Sequence, residues 1–518
     1  VVVTVEIKPR GRGMSTSPDD PDTTEPSDSR RDPRSVVDGH RPRSNRQVAP
    51  FAWMPVLGAA ASVAVIHCMA TVVGPAYWFD EVYMLAIGRY HLDWGSADQP
   101  PLAPLLAAVM DAIAPDSVLV LRLPAVLASA GAVAMAALIA RELGGDGRAQ
   151  TLTALAQATG VWVTVAGHWL TPYALEPVQW MTVIWLLIRW IRVADDRLLI
   201  AMGAMVGIAV LTKFQILLLC AVLLATVLIL GPRHLMRRPM LWVGAALAAL
   251  IAAPTLLWQH RHGWPQLQMV TIVAGEAEPL YGGRPGIAVQ LLLFAGVAGT
   301  ALVGYGVWLL FRDAELRPYR FLAATFLVLF AVFVATAGRP YYLCGLYAPL
   351  AAAGAIGLQR RRASPNAARR RPLPQIAASA VVAVAAVAVS VSMTRSDVGA
   401  NIAEGTAVAY HQLPAQVQTR TAVLGESYIV AAYLDGYAHR YGLPPSYSVN
   451  RSYGFFPPPN ADRDVALYVG RDDAPLRPFF HDSRLTAHIG ADLHVFVLTG
   501  RVVPWQTIWV RLRTLTVT

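Results

Sequence analysis

Two adjacent carboxylates, Asp80 and Glu81, follow the first long apolar run, in the segment Tyr77-Trp78-Phe79-Asp80-Glu81. A third acid opens the segment Asp98-Gln99-Pro100-Pro101-Leu102-Ala103-Pro104. Carboxylates at a membrane boundary are costly to desolvate, so they mark a wet cavity, a pathway or a reaction site. Asp98 can orient Asp80, bind a divalent metal (Mg, Mn or Zn) or cap a helix beginning at Pro100. Lys213 is one of two lysines, the other being Lys8 in the polar N-terminus. It joins two apolar runs, where it can snorkel to the interface or hold an anion. Arg339 and Arg284 are further cations on the same side. His260 and His262 form a His-X-His pair, and two histidines alone make a weak metal motif. His168 and Glu176 flank an outer loop without an assigned role. Tyr341 and Tyr342 can contact a sugar but fit an interfacial aromatic belt better. Glu426 and Asp435 read as solvated surface acids.

The elements that must position these groups are mostly membrane spans. The chain has 518 residues, 55% hydrophobic and 15% charged, against about 25% charged in soluble proteins. The net charge is +10. Its arginines form short clusters between apolar runs rather than a basic face interleaved with aromatics, which argues against nucleic-acid binding. Cys68, Cys220 and Cys344 each lie in an apolar run and read as small buried hydrophobes.

Apolar runs cover 52–74, 118–140, 149–167, 173–191, 197–211, 214–230, 240–258, 287–311, 320–337, 341–358 and 375–393. The fold class expected is a polytopic α-helical membrane protein of about eleven spans. The short fifth and sixth runs adjoin at Thr212-Lys213 and can form one kinked element. Arginine clusters in the tail and in alternate connections, ending with Arg360–Arg362 and Arg369–Arg371, then all fall on the cytoplasmic side. Residues 1–50 read as a disordered cytoplasmic tail, with Met14 an alternative start. The first outer loop, 75–117, carries amphipathic stretches at 80–91 and 101–113 that suit helices lying along the membrane, with Asp80 and Glu81 facing the gap between membrane and solvent. Residues 394–518 read as a small extracytoplasmic α/β domain, with strands at 421–424, 465–469 and 494–498 and a helix over 427–441.

Several motifs, in order, resemble the GT-C glycosyltransferases, specifically the branch of protein O-mannosyltransferases and lipid A aminoarabinose transferases (the bacterial family 39 type). They are aromatic-Asp80-Glu81, the Asp98-X-Pro-Pro-Leu segment, Arg122-Leu123-Pro124-Ala125, Leu211-Thr212-Lys213, Pro254–Trp258 with Gly263-Trp264-Pro265, and Arg339-Pro340-Tyr341-Tyr342 with Tyr347-Ala348-Pro349-Leu350. Ala431-Ala432-Tyr433, Gly442–Pro445 and Ser452-Tyr453 resemble the C-terminal domain of bacterial members.

The resemblance implies a multi-pass bacterial plasma-membrane enzyme with a cytoplasmic N-terminus. It would move mannose, arabinose or a related sugar from a polyprenyl-phosphate carrier to a protein, glycan or lipid acceptor, with inversion. By resemblance Asp80 is the general base and Glu81 assists it directly or as support. Lys213, with Arg339, Asp98, Gln99, Tyr341 and Tyr342, would bind substrate, and Asp98 would be the ligand of a divalent metal. Gln99 departs from the family, which often has Lys or His there, and a neutral amide gives a phosphate no charge. The rival classes are a transporter or lipid flippase, which would show paired halves and acids near the midplane, and a non-catalytic envelope-assembly scaffold.

Overall fold

The structure, a computed structural model, describes residues 48–363 and 373–516. The polar tail up to residue 47 and the arginine-rich connection 364–372 lie outside the described residues.

Each of the eleven apolar runs falls on helix. Length and composition nevertheless mark fewer crossings among the described residues. Five helices suffice individually, and six if Gly283–Leu293 and Gly296–Arg312, meeting at 91°, form one broken span. Local breakage is one physical reason, though the run over 173–191 lies in the unbroken helix Pro172–Val193. The run over 149–167 divides at Gly160 into Gly147–Ala158 and Val161–Ala166. The runs around Lys213 are separate helices, Arg197–Val210 and Gln215–Leu230, joined by a tight turn. Gly203 and Gly244 let Arg197–Val210 cross Pro239–Arg261 closely, since a Cβ on Gly203 would stand 2.1 Å from the Gly244 carbonyl oxygen.

The site rests on four helices near the N-terminal end of the described chain: α1 (Trp53–Val73), α2 (Phe79–Tyr90), α3 (Leu102–Ile113) and α4 (Val118–Glu142). The helices α2 and α3, between the first two long spans, lie where the amphipathic pattern predicts them. α2 begins at Trp78, whose backbone N–H donates to Glu81 Oε1 at 2.8 Å, satisfying a donor the first turn leaves free. Pro100 and Pro101 precede α3, where a missing N–H costs nothing. Gly88 brings the two helices together: a Cβ there would stand 2.5 Å from the Pro104 carbonyl oxygen.

Beyond the last apolar run the chain forms a five-stranded mixed sheet of order β2-β1-β3-β5-β4. The strands are β1 (Thr421–Gly425), β2 (Ser446–Tyr447), β3 (Val465–Gly470), β4 (Phe480–Ile489) and β5 (Leu493–Arg501). β1 pairs parallel with β2 and β3, in the register Val423 to Leu467, and β5 runs antiparallel to β3 and β4. Sequence reading located β1, β3 and β5. It missed β2, which is two residues long, and β4, whose residues are mostly exposed or half-buried and lack an apolar run.

Helix Tyr428–Gly436 packs on α2, and one core joins Tyr83, Met84 and Ala86 to Ala403, Val423 and Leu434. Arg89 fastens the contact. It pairs with Asp111 (2.5 Å) and Asp116 (2.6 Å) and donates to the Gly436 carbonyl at 2.9 Å, a favoured partner for the end of a helix. Asp435 corrects the sequence reading: it is fully buried rather than a solvated surface acid. Tyr453 and the Ser446 backbone N–H each donate to it at 2.6 Å, and burial pushes its carboxyl up to about 7.

Candidate active site

Asp80 and Glu81 are neighbours with opposite surroundings. Successive helical residues point about 100° apart, so the two carboxylates leave α2 on different faces. Glu81 is fully buried against Arg122 of α4, also fully buried. Arg122 Nε donates to Glu81 Oε2 at 3.0 Å, and its Nη atoms donate to the Gly74 (3.1 Å) and Ala76 (2.8 Å) carbonyls. This corrects the expectation that Glu81 faces the gap beside the membrane. It fixes the elbow between α1 and α2, and so positions Asp80.

Asp80 is half-buried on another face. Tyr173 donates to Asp80 Oδ2 at 3.3 Å and accepts from Trp78 Nε1 at 2.9 Å. Aromatic rings wall this side: Trp78 stacks on Trp169 at 4.4 Å, Trp162 stacks on Tyr341 at 4.5 Å, and Tyr173 lies 5.2 Å from Tyr341. Desolvation raises the Asp80 carboxyl to about 6, against the pull of the Tyr173 hydrogen bond and of the Arg339 and Arg451 charges. The carboxylate is therefore a stronger base than a solvated aspartate, yet is ionised at neutral pH.

A pH dependence follows with a definite sign. If Asp80 acts as a base, kcat/KM falls as pH drops through about 6, because protonation removes the base. A pH–rate profile of the purified protein checks this. A limb near pH 4, the range of a solvated aspartate, would discard the buried-base reading.

The turn after Arg197–Val210 carries Lys213. Leu102 N–H donates to the Leu211 carbonyl at 2.8 Å, tying the turn to the start of α3. Lys213 Nζ lies 3.9 Å from Glu176 Oε2 and over the rings of Tyr342 (4.4 Å) and Tyr341 (5.1 Å). The two tyrosines, which fit a belt by sequence, instead cradle this ammonium, a cation–π arrangement. Arg339 is near: its charge acts on both Lys213 and Asp80. Its guanidinium pairs with Glu276 and lies 5.5 Å from the Tyr281 ring. Glu276 Oε1 also accepts from Arg451 Nη2 at 2.6 Å.

Asp98 forms an adjacent knot. Its Oδ1 accepts from Tyr83 (2.8 Å) and from Ser452 (2.5 Å), and Gln99 Nε2 reaches Oδ2 at 3.4 Å. Asp98 thereby joins the outer loop to the C-terminal segment, and its charge raises the Asp80 carboxyl further. A divalent metal at Asp98 fits poorly. Its Oδ1 is already occupied, and among the described residues no three His, Cys, Asp or Glu side chains converge. A protein-built cation site needs several such ligands. His260 and His262 do not join the cluster either: His262 Nδ1 meets the Trp258 carbonyl at 2.8 Å. Arg284 Nε donates instead to the Ala335 carbonyl at 3.2 Å.

The structure thus gathers Asp80, Lys213, Arg339, Tyr341 and Tyr342, with Asp98 and Gln99 alongside. Sequence reasoning missed Tyr173, Glu276 and Arg451 and left Glu176 undecided. Tyr173 and Glu276 carry no local signal. Arg451 sits beside the Ser452-Tyr453 motif, which gives no hint of its direction.

Residues 98–258 match the family model described as dolichyl-phosphate-mannose-protein mannosyltransferase. No curated protein sequence matches the chain. Among solved structures, ArnT from Cupriavidus metallidurans in the apo state aligns with a TM-score of 0.64 at 16% identity, covering 85% of this chain and 97% of ArnT. ArnT bound to undecaprenyl phosphate aligns equally. The apo oligosaccharyltransferase from Archaeoglobus fulgidus gives a TM-score of 0.47 at 14% identity, covering 76% of this chain and 64% of that one. The likeness to ArnT establishes a shared fold over most of both chains.

Proposed function

We propose that this multi-pass membrane chain is a glycosyltransferase of the GT-C type that transfers a sugar from a polyprenyl-phosphate carrier to an acceptor outside the cytoplasm, a reading supported by the family-model match over residues 98–258 and the fold shared with ArnT. The observation that carries the reading is a half-buried, base-competent Asp80 joined through Tyr173 and Tyr341 to the ammonium of Lys213, with the Arg339 charge acting on both.

The chemistry balances as one displacement. The acceptor hydroxyl or amine attacks the anomeric carbon and gives its proton to Asp80. The bond from that carbon to the phosphate oxygen breaks, and the phosphate keeps the electron pair. Lys213 and Arg339 stabilise the charge that develops there. A single displacement inverts the anomeric centre. Tyr173 and the Trp78–Trp169 stack hold the base in place and keep water scarce around it.

Two further features support the donor. ArnT, which shares the fold, is solved with undecaprenyl phosphate. In this chain an apolar cavity of about 370 Å³ runs from Val210 and Leu217, beside the Lys213 turn, to Leu235 and Met236 at the opposite helix ends. It suits an isoprenoid tail below a phosphate held at Lys213. The arginine pattern supports a tail inside and residues 394–518 outside, an orientation in which the C-terminal domain would face the acceptor.

The test is a membrane transfer assay with radiolabelled polyprenyl-phosphate mannose, then the arabinose analogue. Transfer from one and not the other names the sugar. No transfer from any carrier sugar by well-folded protein would discard the reading. Lys213→Ala should raise the donor KM about tenfold to a hundredfold, the loss of one charged contact, and change kcat less. An unchanged donor KM would remove Lys213 from the phosphate site.

A further inference from the structure

Arg451 has no part in the displacement above, and its setting is unusual for a structural arginine. Its backbone is left-handed, with φ +52°, a region that long side chains rarely occupy without a reason. The Arg451 N–H donates to the Thr514 carbonyl at 2.9 Å and holds that conformation. The side chain is 8% exposed. Its Nη2 meets Glu276 Oε1 at 2.6 Å, its Nη1 meets the Met269 sulfur at 3.1 Å, and the guanidinium lies 5.8 Å from the Tyr428 ring. Arg451 Nε and Arg339 Nη1 are both buried without a hydrogen-bond partner among the described residues. Buried arginines rarely leave such donors idle.

We infer that Arg451 is a phosphate-binding residue that the C-terminal segment contributes to the donor site, with Glu276 as its counter-ion until the phosphate arrives. The inference rests on the polyprenyl-phosphate reading, which supplies the anion. Three observations carry it. Glu276 bridges two arginines with its two oxygens, Oε2 toward Arg339 and Oε1 toward Arg451. An anion of similar span therefore already joins them, and a phosphate offers the same geometry with one oxygen more. The idle donors on both guanidinium groups can receive that further oxygen. Finally, Ser452, the next residue, bonds Asp98, so the segment that carries Arg451 is tied to the loop that carries Asp98.

The test uses the full-length purified chain, with undecaprenyl phosphate as the probe and undecaprenol as the uncharged control. Arg451→Gln should weaken binding of the phosphate about tenfold or more and leave the alcohol unaffected. Arg451→Lys should recover part of the loss. Glu276→Gln should bind the phosphate at least as tightly as the parent, because the competing carboxylate is gone. The inference is overturned if Arg451→Gln binds the phosphate like the parent, or loses phosphate and alcohol equally, which marks a folding role. It also falls if Glu276→Gln binds more weakly. A parent that does not prefer the phosphate to the alcohol overturns the donor reading together with the inference. A parent that does, with Arg451→Gln unchanged, overturns the inference alone.

Discussion

Asp80→Asn abolishes most sugar transfer while leaving the donor bound. The expected fall in kcat is about a hundredfold to ten-thousandfold, the usual contribution of a positioned base. The amide is nearly isosteric and can still accept from the Tyr173 hydroxyl, which lies 3.3 Å from Asp80 Oδ2. What it cannot do is take the acceptor's proton. Stability should hold or rise, because the substitution removes a carboxylate whose charge burial already disfavours. The measurement pairs kcat in the transfer assay with the affinity for undecaprenyl phosphate. Loss of kcat with retained affinity assigns the base. Retained kcat would transfer that role to another group, and equal loss of both would point to a disrupted pocket.

The second large effect is on stability. Arg122→Met leaves Glu81 buried without its partner and frees the Gly74 and Ala76 carbonyls. Breaking a buried ion pair from one side costs about 3–5 kcal/mol. The double variant Glu81→Gln with Arg122→Met should be more stable than Arg122→Met alone, because the orphaned charge is gone. Thermal unfolding of the detergent-solubilised protein distinguishes the two. Arg122→Met should also lose transfer, since the pair fixes the elbow from which α2 presents Asp80. A parent-like melting temperature for Arg122→Met would show that the elbow is held elsewhere, with the α2–C-terminal core around Tyr83 and Leu434 the next candidate.

Much of the architecture was legible because hydropathy is a local sum. Eleven apolar runs became helix, and Pro100-Pro101 marked the start of α3. Strands β1 and β3 read clearly because both of their faces are buried. Breaks were less legible. Gly160 divides one run, and a 3-10 turn over Pro340–Leu343 delays the helix that starts at Tyr347. Both depend on packing that the run itself does not record. Asp435 illustrates the same limit. A carboxylate in an outer segment defaults to solvent, and only the converging Tyr453 and Ser446 donors make its burial tolerable.

The sequence by itself determined the membrane class, the placement of the apolar runs, the acids at the start of α2 and the α/β character of the C-terminal segment. Those properties follow from composition and short-range periodicity, which each stretch carries alone. Tertiary structure decided which of two adjacent acids is neutralised by Arg122 and which faces the cations. It also brought together Asp80, Lys213, Arg339 and Arg451 from four distant parts of the chain. Ion pairing and desolvation depend on separations through space, and those are set only when the helices and the C-terminal segment pack.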